Sequence, residues 1–166
     1  MRFIGLLVFI SVSLVGQESL TQEGGYWVHT MTGFPVVPPH TRLTVGTRGA
    51  VTVKGADRQA SYRIIQRVRA HSEAEATHLF SQVGVSNVTN GGYTRFDVNP
   101  AFSPLVSTQL ELTLPRVLTS LTIETQMGSV DVVDLDGVVD VSTARVAEVR
   151  EKYPFLEDIA QQLPAY

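Results

Sequence analysis

The feature that most constrains this chain is a short alternation of apolar and polar residues, repeated many times and punctuated by glycine. Between Thr108 and Leu114, Leu110, Leu112 and Leu114 alternate with Gln109, Glu111 and Thr113, and Pro115 follows. Successive side chains of a strand point to opposite faces, so such a segment buries one row and wets the other. A helix would turn Leu112 away from Leu110 and Leu114. Proline then ends the run, because it has no N–H for a ladder. The same rhythm recurs where Leu43 and Val45 bracket Thr44, and where Val51 and Val53 bracket Thr52. Leu121 with Ile123, Val130 with Val132 and Val139 with Val141 continue it. The chain therefore reads as mostly β, built of stacked short strands in a solenoid-like or twisted sheet.

A weak internal repeat supports that reading. Gly49-Ala50-Val51-Thr52-Val53 resembles Gly128-Ser129-Val130-Asp131-Val132, and Gly137-Val138-Val139-Asp140-Val141 gives a third pass. Each pass predicts a glycine bend and then a strand stacked beside its counterpart. Residues 62–69 form a further strand, with Tyr62, Ile64 and Val68 on one face and Arg63, Arg67 and Arg69 on the other. Val85 to Val98 reads as a hairpin turned at Asn90-Gly91-Gly92, residues that tolerate positive φ.

One helix is signalled near 72–83. Ser72 and Glu75 form a capping box, and Ala76, Leu79, Phe80 and Val83 make one apolar stripe. Gly84 is the expected stop. A short second helix is predicted near 154–163, from Pro154 followed by Phe155, Leu156, Ile159 and Leu163.

Four segments follow. Residues 1–16 read as an export signal: Arg2 is a short positive start, and Phe3 to Val15 is apolar apart from Gly5, Ser11 and Ser13. About 18 apolar residues are needed to span a bilayer, and this run is shorter. Residues 17–40 are a lead-in with Gly24, Gly25, Gly33, Pro35, Pro38 and Pro39, where little regular structure is expected. Residues 41–144 carry the β-rich domain, and residues 145–166 a helical tail. The expected location is exported, periplasmic or extracellular, with membrane contact only through the signal segment.

Composition narrows the chemistry. There is no cysteine, so disulfides, thiolate metal sites and a cysteine nucleophile are excluded. The formal net charge of −3 gives no electrostatic reason to expect nucleic acid as a partner. With 43% hydrophobic residues, a domain of this size can be held by its core alone.

The run Leu43-Thr44-Val45 to Gly49-Ala50-Val51-Thr52-Val53-Lys54-Gly55, the helix from Ser72 to Val83 and the strand Leu110 to Pro115 resemble the bacterial putative-adhesin family of exported β-solenoid-like domains. Leu121-Thr122-Ile123-Glu124-Thr125, Gly128-Ser129-Val130 and Leu135 through Val141 complete the likeness, which covers residues 41–144. The resemblance implies a stacked β architecture outside the cytoplasm and no established reaction. This chain carries only three short passes and adds the tail from Arg145.

No catalytic or cofactor motif stands out. His29, His40, His71 and His78 include no closely spaced pair for zinc. Asp131, Asp134, Asp136 and Asp140 lack the spacing of a calcium loop and read as turn acids. Glu111 and Glu124 fall on outward positions of consecutive strands, and a pair of carboxylates could hydrolyse glycosides across a cleft. Arg63, Arg67 and Arg69 are the expected binding face, with Glu111 as a cross-strand partner. The residues thus point to a non-enzymatic exported binding or scaffold module of the cell envelope, of an adhesive kind, without a cofactor. Its expected partner is a surface polysaccharide or an envelope protein. The alternatives are a secreted carboxylate-dependent hydrolase of polysaccharide and a structural component of envelope assembly.

Overall fold

The computed structural model describes residues 18–99, 105–143 and 149–152. The export segment 1–16 and the helix expected near 154–163 lie outside them. The chain is mostly β, as the alternation requires, with one helix among the described residues. A seven-stranded sheet takes β1 (Glu18–Glu23), β2 (Tyr26–Gly33), β5 (Ser61–Val68), β8 (Ser107–Pro115), β4 (Ala50–Ala56), β10 (Val130–Val133) and β12 (Val149–Lys152), in that spatial order. A five-stranded sheet takes β11 (Asp136–Thr143), β9 (Val117–Thr125), β3 (Arg42–Thr47), β7 (Tyr93–Asn99) and β6 (Gly84–Asn90).

Four consecutive strand pairs split between the layers. β3, β7, β9 and β11 lie in the small sheet; β4, β8, β10 and β12, which follow them, lie in the large one. Strands of different passes then pair in parallel and in register. Across the small sheet, Phe96, Val45, Ile123 and Val141 form one row, and Thr94, Leu43, Leu121 and Val139 the next. Across the large sheet, Ile64, Leu110, Val51 and Val130 form a row, and Tyr62, Leu112, Val53 and Val132 another. These rows face each other and form the main core; Val45, Val51, Val53, Ile64, Leu110 and Ile123 are completely buried. Each such side chain contributes roughly 1.5–3 kcal/mol of apolar burial.

The repeat is visible in the ladder. Val51 pairs with Val130 and Val53 with Val132, so the first two glycine–valine passes lie side by side. Their corners nest: the Met127 N–H donates to the Arg48 carbonyl at 3.1 Å, and the Val51 N–H to the Ser129 carbonyl at 2.9 Å. Glycine is required there. A Cβ on Gly49 would sit 1.6 Å from the Thr108 carbonyl oxygen, and Gly128 has φ +109° with the Ala50 backbone N 2.6 Å from its Cβ position. The third pass behaves differently: it is β11, in the small sheet beside β9, with an irregularity between Asp136 and Val138.

Helix α1 (Glu73–Phe80) is capped as expected, the Ser72 hydroxyl accepting from the Glu75 N–H. Glu75 reaches back to the N–H of His71 rather than of Ser72. The helix ends earlier than predicted, at Ser81. The Val83 N–H there bonds to the Phe80 carbonyl and tightens the last turn, while Gly84 opens β6. Ala76 and Phe80 pack on Val68 and Val106 in a second small core.

Two expectations need correction. Residues 18–33 of the lead-in form a regular hairpin, while 34–40, with Pro35, Pro38 and Pro39, carry no strand, as expected: β1 and β2 pair over six residues, and Gly24 and Gly25, at φ 55° and 81°, supply a two-residue turn. The glycines close the hairpin instead of loosening the backbone. Within the tail, Val149–Lys152 is a strand that extends the large sheet in parallel beside β10.

Candidate functional site

The three arginines of the expected binding face do not converge. Arg63 lies on the outer face of the large sheet, opposite Glu111, and its guanidinium meets that carboxylate at 3.5 Å. The predicted cross-strand partner is therefore the observed one. The row continues through Thr52 to Asp131, with Lys54 and Thr113 alongside, around a depression of about 450 Å³. Arg67 shares the face four residues further along, exposed and without an ion pair among the described residues. Arg69 lies beyond the end of β5, and its guanidinium stacks on the Tyr26 ring, 4.7 Å from the centroid. One cation is neutralised, one is stacked and one is isolated.

Glu111 and Glu124 are not neighbours. β8 and β9 follow each other in sequence but belong to different sheets, so the two carboxylates lie on opposite outer surfaces with the core between them. Alternation assigns a face within a strand, not the sheet the strand joins. The late acids also scatter: Asp131 is on the large sheet, Asp140 on the small one, and Asp134 is at a bend with φ 58°. Among the described residues no three histidine or acidic side chains gather as a metal set.

A cluster does form on the outer face of the small sheet. β7 alternates Thr94, Phe96 and Val98 inward with Tyr93, Arg95, Asp97 and Asn99 outward. β3, its parallel neighbour, places Thr44 beside Arg95 and Gly46 beside Asp97. On the other side of β3, Gly46 pairs with Glu124 and Thr44 with Thr122; β11 adds Ser142 beside Glu124 and Asp140 beside Thr122. The middle strand thus carries a short side chain and no side chain between two strands bearing long ones.

Arg95 uses that gap. Its Nε–H donates to Asp97 at 2.8 Å and its terminal NH2 to Glu124 at 3.0 Å, joining carboxylates two strands apart. A Cβ on Gly46 would lie 2.2 Å from the Asp97 carboxylate, so a glycine there lets the carboxylate lie over the backbone. The hydrogen bonds to Asp97, Tyr93 and Glu124 raise the Arg95 pKa further above its ordinary value. The cation stays charged and its side chain is held between two carboxylates. The cluster borders a polar depression of about 430 Å³, with Thr47, Arg48, Thr125 and Ser142 on its rim. The outward Tyr93-x-Arg95-x-Asp97-x-Asn99 series was available in the sequence as a signal. What it lacked was the order of strands that brings Glu124 to it.

A second cavity, of about 540 Å³, lies between the first hairpin and α1. His29 stacks on Phe80 there, with ring centroids 5.2 Å apart, and its Nδ1 lies 3.2 Å from the buried Gln66 Oε1. Its remaining lining mixes Leu20, Met31 and Val83 with Glu18, Ser19, Thr77 and Ser81. The His29 Nε2 lies 3.7 Å from the Glu18 carboxylate at its edge.

No protein-family model matches the chain, and no curated protein matches its sequence. Among solved structures it is similar to a putative cell adhesion protein from Clostridium sporogenes, with 8% identity and a TM-score of 0.46 over 79% of this chain. It is also similar to a putative adhesin from Bacteroides fragilis, with 11% identity and a TM-score of 0.41 over 70% of this chain. The chain spans little more than half of those structures, 57% and 52% of their lengths. Neither likeness transfers a function to this chain.

Proposed function

We infer that this protein is an exported, non-enzymatic binding module of the cell envelope, working in the periplasm or outside the cell. It engages its partner through the outer face of the small sheet. One observation carries the reading: Arg95 is fixed by Asp97 and Glu124 over the side-chain-free position of Gly46. Restraining a long, flexible side chain before a ligand arrives lowers the entropy lost on binding. The paired carboxylates also favour binding over hydrolysis. An acid and a base of a glycosidase need separate environments, whereas Asp97 and Glu124 share one cation.

Binding of the labelled protein to cell-envelope fractions tests the reading. Arg95→Ala should reduce retention, and Arg63→Glu combined with Arg67→Glu should leave it intact. Retention that survives Arg95→Ala and disappears with the double variant would move the function to the large sheet.

A further inference from the structure

We propose that the Arg95 cluster is a subsite for a neutral glycan and that it recognises vicinal hydroxyls. This rests on the reading of the small-sheet face as the binding surface and names the ligand class. The first argument is charge. Among the described residues of this face, Arg42, Arg48 and Arg95 stand against Asp97, Glu124, Asp140 and Asp136, three cations against four anions. Charges of both signs are interspersed, an arrangement that favours neither a polyanion nor a polycation strongly.

The second argument is hydrogen-bond chemistry. Arg95 spends Nε–H on Asp97 and part of one terminal nitrogen on Glu124. A guanidinium has five N–H donors, so others remain for a ligand. Each carboxylate has about four acceptor sites and keeps some free. Fixed donors therefore stand beside fixed acceptors within one depression. A hydroxyl is the common group that can donate to a carboxylate and accept from a guanidinium at once. Two adjacent hydroxyls satisfy the pair with the bidentate geometry that carboxylates favour. Ser142, exposed beside Glu124, adds a further hydroxyl at the edge of the depression.

The third argument is shape. Tyr93, 42% exposed, lies on the same strand face as Arg95, one step of the alternation away. Tyr93, Arg42 and Ser120 form one register row; Arg95, Thr44 and Thr122 the next; Asp97, Gly46 and Glu124 the third. A polymer with polar edges and apolar ring faces can lie along these rows, with the tyrosine ring beneath one unit.

The test uses the described protein against three immobilised polymers: a neutral mannan, dextran and polygalacturonate. The proposal predicts binding to at least one neutral polymer and none to polygalacturonate. Cleaving the vicinal diols with periodate, followed by borohydride reduction, should abolish binding. Arg95→Ala and Glu124→Gln should each weaken it at least tenfold with an unchanged melting temperature, and Arg63→Glu should have no effect. Binding of polygalacturonate alone, sensitive to Arg95→Ala, would overturn the ligand class while keeping the face. Retention of binding after periodate, or no binding to either neutral polymer, would also overturn the ligand class. Neutral-polymer binding lost with Arg63→Glu and kept with Arg95→Ala would overturn both the ligand site and the reading beneath it.

Discussion

The two outer faces of this molecule are built alike and differ in what stands between their charges. Each is the wet side of a stacked sheet, and each has a depression of similar size, about 450 Å³ and 430 Å³. On the large sheet, Arg63 meets Glu111 on the adjacent strand, and Thr52 separates that pair from Asp131. The result is one exposed ion pair, of the kind that contributes about 0–1 kcal/mol. On the small sheet, Gly46 separates Asp97 from Glu124, and Arg95 reaches across to hold both. The number of charges does not distinguish the faces. A missing side chain at the central strand does, because it lets groups two strands apart act as one unit.

The comparison can be broken from below by attacking what both faces share. Gly49→Ala would push a Cβ into the Thr108 carbonyl, and backbone cannot move aside cheaply. The expected loss is about 3 kcal/mol or more in denaturant unfolding. Leu110→Ala, in the fully buried row of the large sheet, should cost roughly 2–5 kcal/mol.

A smaller effect separates one layer contact from the rest. Tyr62 packs against Phe96 of the opposite sheet, with ring centroids 5.3 Å apart, and burial pushes its phenol pKa above the ordinary value, with Glu18 adding to the shift. The folded chain therefore holds that proton more tightly than the unfolded chain. Stability should be full below about pH 10 and fall as pH rises through the folded value. Tyr62→Phe should remove that alkaline slope in unfolding curves; an unchanged slope would show that another group carries it.

The two faces themselves should respond least in stability and most differently in structure. At Gly46 the Cβ would meet the far end of the flexible Asp97 side chain, not backbone. Gly46→Ala should change stability by no more than about 1 kcal/mol. A crystal structure of that variant should show Asp97 swung away and the Arg95 bridge lost. Glu111→Gln on the large sheet should likewise cost about 0–1 kcal/mol, and rearrange nothing beyond Arg63 and Gln109.

Much of the scaffold was legible in the residues. The Leu110, Leu112, Leu114 row, the Asn90-Gly91-Gly92 turn and the Ser72 cap all act as their chemistry dictates. The repeated Gly49 and Gly128 bends were readable as stacked corners because their valines pair in register. The site was not legible in the same way. Period-two alternation places Arg95 and Glu124 outward on their own strands, but they are 29 residues apart and meet only because β3 inserts between β7 and β9. The sequence-based choice of Arg63, Arg67 and Arg69 followed local charge density, which is blind to what the neighbouring strand presents. Gly24-Gly25 misled for the opposite reason: a turn signal was read as the absence of structure.

Spin labels at Glu111→Cys and Glu124→Cys test the two-face arrangement most directly, and the chain has no other cysteine to interfere. With the labels on opposite outer surfaces, their separation should be well beyond the roughly 10 Å between packed sheets. Strong dipolar broadening, as from labels on adjacent strands about 4.8 Å apart, would contradict the account.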